Sequence, residues 1–454
     1  MTKPYVHVDE SLAFEPTVGY ARLRGECPLH HVGDHQPPFY VVSRFDDVVA
    51  TLKQPRLWGN SRGPGVFYQD SGVLGSADDP DHARHRSVLR NAFVPTAIAR
   101  MEPSLTAIAD QLLDEMFASV SPEPSVGAGD GAGAADFVSM FAFPFPALAI
   151  GELLGVPAED RDLFGSWTAT IVAALTGGDL AAYEAARDAM GDYVDAILLT
   201  RQASLDASHA GPAAPEIEPA APAARDLLDM MLEARRDGRL SATEVRRLAH
   251  QLLVAGHETT TSLLGMMLYR LIEHPDVMAA LRADPSLIPS AVEEALRFDS
   301  PVNGLFRTNA SECAIHEETI PADSKLQILY ASANRDPERF PDPDEFRLDR
   351  PREQAGKHVA FGWGIHFCIG APLARLEARI AFERLLARTE RIELAGDPTR
   401  NESFVLHGLT SLPIRWETAT TSDSASTAAD PATTRSATTR LATTVHGSAP
   451  LVES

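Results

Sequence analysis

Cys368 is one of three cysteines in the chain, and it sits within AFGWGIHFCIGAPLAR, residues 360–375, with glycines on either side. A lone cysteine can act as a nucleophile, serve as a metal thiolate, or fill a core as a small apolar side chain. Its neighbours weigh toward a thiolate. From Ala371, with Pro372 in the first turn, a run of strong helix formers predicts a helix N-terminus just after Cys368, whose unpaired N–H groups stabilise an anionic sulfur. Gly362, Gly364 and Gly370 let the backbone bend sharply and approach a bulky flat group, so a planar cofactor accounts for them. A phosphate cradle fits less well, because the spacing is not GxGxxG and no strong strand precedes it. A second candidate is AGHETTT, residues 255–261. Gly256 and three consecutive threonines suit a helix interior poorly. A Thr259 hydroxyl bonded to the carbonyl one turn back would widen the helix and leave a groove for water or a small ligand, with Glu258 placed to supply protons. The plainer alternative is that Thr259 only back-bonds and Glu258 is a surface or ion-paired acid. Glu294 and Arg297, three residues apart, share a helical face, an arrangement too frequent to carry weight alone.

The elements that position these groups follow from pattern. Ser241 and Glu244 form an S-x-x-E capping box, apolar residues follow at helical spacing, and Pro275 ends the run. The expected helix has about 33 residues and a length of about 50 Å at 1.5 Å per residue, enough to cross a domain. PFYVVS (38–43) predicts a strand and TIPADSKLQIL (319–329) a hairpin. The apolar stretch from Phe137 is broken by Pro144, Pro146 and Glu152, so it predicts a buried helix entered through a Pro-rich turn and not a membrane span. Without a fixed-period repeat, the fold class is mainly α with minor β.

Composition narrows the function. A formal net charge of -23 opposes general nucleic-acid binding, since a phosphate backbone would repel it. Three cysteines far apart give no disulfide framework and no paired zinc motif, which predicts a reducing cytoplasm. No basic-then-apolar leader pattern opens the chain, so neither secretion nor an N-terminal membrane anchor is expected. Residues 418–454 are mainly Thr, Ala and Ser and are expected to form a disordered tail after a single domain at 1–417. Pro-, Gly- and Ala-rich segments at 119–137 and 207–224 are expected to be surface loops.

Taken in order, the motifs resemble those of the soluble bacterial cytochromes P450. AGHETT (255–260) resembles that family's oxygen-groove helix, EEALR (293–297) its Glu-x-x-Arg, NRDPERFPDPDEFRLDR (334–350) its meander, and FGWGIHFCIG (361–370) its F-x-x-G-x-[HR]-x-C-x-G loop. DDPDHARHRSVLRNAF (78–93) is similar to the helix that bears haem-propionate ligands. The likeness implies the P450 fold, with a long central helix over a haem b held by a cysteine loop. Cys368 would be the axial thiolate, Phe361 would pack beside it, and Ala255, Gly362 and Gly370 would border the cofactor. His82, Arg86, Arg307 and His366 would meet the propionates. Thr259 would position the water that protonates bound oxygen, and Glu258 would relay protons from solvent. Glu294 and Arg297, with Arg350 as a third partner, would form a structural charge network, and Gly256 would shape the groove helix. The substrate pocket would draw on Leu253, Val254, Val302 and Leu305, on the loop after Trp58, on 164–175 and on the turn at Leu406. His257 is expected to make an interhelical contact. Glu317 and Asp323 stand where the family often has glycine.

The implied activity is monooxygenation, with hydroxylation the default: one atom of O2 enters a lipophilic small molecule. Electrons would come from a separate ferredoxin and its NAD(P)H-dependent reductase, because no reductase segment follows the domain. Arg84, Arg90, Lys357, Arg375 and Arg379 flank the cysteine loop and predict a locally basic face for an acidic ferredoxin. A monomer is expected. Two alternatives stand beside this: a peroxide-using or rearranging haem-thiolate enzyme, and a non-enzymatic haem sensor.

Overall fold

The computed structural model describes residues 17–68, 72–119, 132–156, 180–210, 226–401 and 405–419, with single positions 160, 163, 167, 170 and 403. The helices that frame the cysteine loop are α1 (Asp81–Leu89), α2 (Glu102–Ala118), α3 (Pro144–Leu154), α4 (Ala242–Glu273), α5 (Ile288–Phe298) and α6 (Ala371–Arg388).

Helix α4 begins where the capping box places it. Ser241 Oγ accepts from the Glu244 N–H at 3.2 Å, and Glu244 carboxylate accepts from the Ser241 N–H at 2.7 Å. Every residue from Thr260 to Leu271 is buried, so this half of the helix is a core strut surrounded on all sides. The threonines do not break it. Thr259, Thr260 and Thr261 donate to the carbonyls of Ala255, Gly256 and His257 at 2.9, 3.3 and 3.1 Å, and the helix is continuous through them. Gly256 has a packing reason: a Cβ there would lie 3.3 Å from Ile150 Cγ1 and Cδ1, so glycine lets α3 close on α4. His257 adds a second tie. Its Nε2 lies 2.8 Å from the Phe143 carbonyl oxygen, and the two rings meet edge to face at 4.2 Å. This is the interhelical contact expected of it. The stretch from Phe137 does enter a buried helix through prolines, with one π-helical turn, Val138–Ala142, preceding α3.

The strands are β1 (Leu29–Val32), β2 (Phe39–Val42), β3 (Trp58–Gly59), β4 (Ala132–Asp136), β5 (Gly304–Asn309), β6 (Cys313–Ile315), β7 (Glu318–Ile320), β8 (Lys325–Leu329), β9 (Thr389–Leu394), β10 (Thr399–Arg400), β11 (Leu409–Ser411) and β12 (Pro413–Thr418). The main sheet has the order β1-β2-β8-β5-β3, with β2 and β8 parallel and the other pairs antiparallel.

Four expectations change here. The segment 319–329 is not a hairpin: β7 pairs with β6, whereas β8 crosses into the main sheet between β2 and β5. The turns use left-handed non-glycine residues, His316 (φ 54°) and Asp323 (φ 58°). Asp323 thus adopts the conformation for which glycine is the usual choice. The end of the segment 119–137 is strand β4, paired with β12 because a small-residue run can lie flat beside it; Trp416 fills the space over Gly133. Residues 207–210 end the helix Leu180–Ala210 instead of starting a loop. Thr418, assigned by composition to the tail, closes β12 opposite Thr389. The rest of the tail, most of 119–131 and 164–175, and all of 211–224 lie outside the described residues.

Replacing Ser241 with Ala is expected to lower the unfolding free energy by about 1 kcal/mol, measured by urea denaturation. An unchanged midpoint would contradict the cap.

Candidate active site

The cysteine loop runs from His358 to Gly370, between the long irregular segment that follows Ala333 and the start of α6. Gly362 and Gly364 have φ of 70° and 71°, the left-handed region that favours glycine. A Cβ on Gly364 would also meet the Leu52 carbonyl oxygen at 3.0 Å. Gly370 differs from the expectation of a sharp bend. Its φ is -78°, which any residue adopts, and a Cβ there would be 3.8 Å from Cys368 Sγ. The Cys368 N–H donates to the Phe361 carbonyl at 2.9 Å, closing the loop beneath the half-buried Phe361 ring.

Cys368 is exposed as a residue, yet burial pushes its thiol up, against the pull of the Gly370 N–H, Arg86, the Ala371 N–H and Arg375. These two descriptions agree if the sulfur opens on an interior cleft and not on bulk solvent. The opposing groups all favour the thiolate.

The loop is anchored by buried polar groups. Arg297, fully buried, forks onto Glu294 through Nε and Nη2 at 2.8 and 2.7 Å. Arg350 Nε donates to both Glu294 oxygens at 3.0 Å. The two guanidinium groups then reach the carbonyls of Asn334, Pro341, Asp342, Pro343 and Glu345. Asn334 carries the order onward: its Oδ1 accepts from the Val359 N–H at 2.7 Å and its Nδ2 donates to Ser300 Oγ at 2.8 Å.

Above the loop, α1 presents His82 and Arg86 one turn apart on one face. The His82 and His366 rings meet at 4.1 Å, tilted by 47°. Arg307 is buried on β5, where it donates to the Phe306 carbonyl at 2.9 Å. Among the described residues neither Arg86 nor Arg307 has a carboxylate at ion-pair distance. His366 Nδ1 is buried without a partner, and burial, with Arg307 and His82 nearby, pulls its pKa down to about 3. Burial also lowers His82, against the raising effect of Asp79. Two uncompensated guanidinium groups and an orphaned imidazole nitrogen suit carboxylates. An open thiol flanked by N–H donors suits a soft metal ion. The donor set therefore fits a flat, dianionic, metal-bearing group.

On the other wall, Ala255 is exposed and Thr259 half-buried, and with Gln251 they share one face of α4 at i, i+4 and i+8. Burial raises Glu258 to about 7, and no ion-pair partner holds it among the described residues. The ion-paired alternative for Glu258 therefore fails, while Thr259 does back-bond. Leu253 is corrected: it is buried in the main core and does not face the cleft, because it lies two residues from Ala255 and so nearly opposite on the helix. Val254 is half-buried against the same core. Val302 and Leu305 are half-buried, and Val302 forms a β-bridge with Leu406.

Sequence reasoning missed Gln251, Asn334, Glu293 and His358. Gln251 lies four residues, one helical turn, before Ala255, and Glu293 stands beside Glu294 in the same motif. The basic face is also revised. Arg84 pairs with Asp81 and Glu244, Arg375 with Glu293, and Arg379 with Glu102 and Glu383. Arg90 and Lys357 are exposed and make no ion pair among the described residues.

A family profile described as Cytochrome P450 matches residues 167–414. The chain is 37% identical over 429 residues to Cytochrome P450 107B1 of Saccharopolyspora erythraea, covering 90% of this chain and 96% of that one. The chain belongs to the cytochrome P450 family. It is 34% identical to the 6-deoxyerythronolide B hydroxylase of the same organism, covering 87% of this chain and 95% of the relative. The solved structure of the P450 CYP109Q5 from Chondromyces apiculatus superposes with a TM-score of 0.76 at 33% identity, covering 91% of this chain and 98% of that one. As a P450, the chain has the P450 fold, is an oxidoreductase of the monooxygenase family, and takes haem b as its cofactor. No helix among the described residues is long and apolar enough to cross a membrane.

The Glu258 shift has a signed consequence. A carboxyl near 7 in the folded state and near 4.5 when unfolded favours the fold below pH 4.5, and that contribution is lost as pH rises through about 7. Unfolding free energy measured from pH 4.5 to 8 is expected to show this fall, and Glu258→Gln is expected to flatten it. A variant with the wild-type slope would contradict the buried, unpaired acid.

Proposed function

We propose that this P450 inserts one atom of O2 into a lipophilic small molecule, with hydroxylation the main outcome, and that Cys368 is the iron ligand. The observation that carries this is the open thiol set below two unpaired guanidinium groups and an orphaned His366 Nδ1. Bound there, the haem supplies reductive activation of O2, and a thiolate ligand favours O–O cleavage. Arg86, Arg307, His82 and His366 would hold its carboxylates. Phe361, Gly362 and Gly370 would border its proximal side, and Ala255 its distal side.

Proton delivery follows from α4. The Thr259 hydroxyl donates to the Ala255 carbonyl at 2.9 Å, so its oxygen has lone pairs free to accept from a water and orient that water's second proton toward the cleft. Glu258 at about 7 is matched to give and regain a proton near neutral pH. This relay favours oxygen-dependent turnover over a sensor or a peroxide-only enzyme. The half-buried apolar groups Val254, Val302, Leu305 and Leu406 favour a lipophilic substrate, consistent with a relative named for hydroxylating 6-deoxyerythronolide B.

We read the chain up to Ala419 as one catalytic domain and 420–454 as a tail. The enzyme would work as a monomer in the cytoplasm with a ferredoxin and an NAD(P)H-dependent reductase. Of the five cations flanking the cysteine loop, Arg90 and Lys357 make no ion pair among the described residues and would meet that ferredoxin, a weaker patch than those five positions suggest.

Turnover under isotopically heavy O2 is expected to place one heavy atom in the product; a product without it overturns the reading. Thr259→Ala and Glu258→Gln are each expected to slow product formation roughly 100-fold while reductant is still consumed. Equal product yield per reductant in wild type and variants would remove the relay.

A further inference from the structure

Glu293 precedes Glu294 on α5 but belongs to a different network. Its Oε1 accepts from Arg375 Nε at 2.5 Å, and its Oε2 accepts from Arg375 Nη2 at 2.9 Å. His358 Nε2 lies 3.1 Å from the same Oε2, and the Ala360 N–H donates to His358 Nδ1 at 3.2 Å. A nitrogen that accepts from a backbone N–H carries no proton, so the hydrogen bonds assign His358 as the neutral tautomer donating to Glu293 through Nε2. Although burial works against it, Arg375 and His358 hold the Glu293 carboxyl down at about 2, and the carboxylate is a fixed counter-charge.

The Arg375 guanidinium stands over the Phe361 ring, 4.5 Å from its centroid. Phe361 is the residue whose carbonyl accepts the Cys368 N–H at 2.9 Å. A cation therefore faces the cysteine loop across an aromatic ring, and a charge acts more strongly across an apolar ring than through solvent. On its outer side Arg375 lines a cleft of about 250 Å³ formed by Pro95, Ile98, Val292, Pro372 and Leu376, which leaves the side chain 34% exposed. Arg375 is thus a partly exposed charge held in place by Glu293, not a free docking cation.

Resting on the haem-thiolate reading, we propose that the Glu293–Arg375 pair sets the reduction potential of the bound haem. Arg375 would do so as a cation over Phe361 that moderates the Cys368 thiolate, and Glu293 as the counter-charge that limits it. Both are positioning residues. The sign of each effect follows from charge alone. Without the cation, the reduced and more negative state is less favoured; without the counter-anion, it is more favoured.

The test is the ferric–ferrous midpoint potential of the intact holoenzyme, with thermal stability measured in parallel. Arg375→Gln is expected to move the potential negative and Glu293→Gln to move it positive, with both shifts shrinking as salt rises because the cleft admits ions. Arg375→Lys keeps the charge and is expected to stay near wild type. Shifts of the same sign, or unshifted potentials with lowered stability, overturn the proposal and make the pair purely structural. If Arg375→Gln fails to fold, Glu293→Gln and Arg375→Lys still decide it: an unshifted Glu293→Gln, or a negative shift in the charge-retaining lysine variant, overturns it. A wild-type enzyme whose carbon monoxide complex lacks a thiolate-type spectrum overturns the underlying reading as well; a normal spectrum with unshifted potentials overturns this proposal alone.

Discussion

Glu294 carries one negative charge in the interior of the molecule and faces two buried guanidinium groups, and the geometry of the cysteine side depends on that arrangement. An isolated carboxylate at 1% exposure would be heavily penalised by desolvation. Here Arg297 and Arg350 together supply more positive charge than Glu294 can cancel, and the carbonyls of residues 334–345 take up the remaining N–H groups. That requirement fixes the path of a segment with almost no regular secondary structure of its own. Removing one member of such a network costs about 3–5 kcal/mol, a large share of the 5–15 kcal/mol typical of a folded domain. The cysteine loop inherits its position from this segment through Asn334 and Val359.

Beside that hydrogen-bonded interior, the groups left without an acid define the site. Arg270 is paired with Asp299, Arg335 with Asp344 and Arg84 with Glu244, whereas Arg86, Arg307 and His366 Nδ1 face the cleft without acids among the described residues. Glu377 and Lys325 are also buried without an ion pair among the described residues, but only in the cleft do unmatched cations stand together beside the cysteine loop, where an anionic ligand is to bind. The same logic applies to Glu258, a half-buried acid with no cation, whose environment keeps it protonated close to neutral pH.

Much of this was legible in the sequence because local rules and the site coincide. The capping box at Ser241, the Pro372 helix start and the left-handed glycines 362 and 364 each have a local cause. What escaped depended on distant partners. Glu293 and Glu294 are adjacent and chemically identical, yet one meets the meander and the other the cysteine loop, a choice set by which face of α5 each occupies. Leu253 looked like a pocket residue by family position, but its place on α4 directs it to the core. The strand pairing of 319–329 differs from a hairpin because hairpin signals in sequence do not show that β8 is recruited between β5 and a strand far earlier in the chain, β2. Arg84, Arg375 and Arg379 read as free surface charge because Glu244, Glu293 and Glu102 reach them from other helices, although Asp81 and Glu383 also pair with Arg84 and Arg379 within their own helices.

The proposed site depends on the Cys368 sulfur as the iron ligand. The reduced, carbon-monoxide-bound absorption spectrum of the holoenzyme and of Cys368→Ser tests it most directly. The wild type should give a strongly red-shifted Soret band and the variant should lose it. A Cys368→Ser protein with the same pigment, the same band and the same turnover would contradict the account.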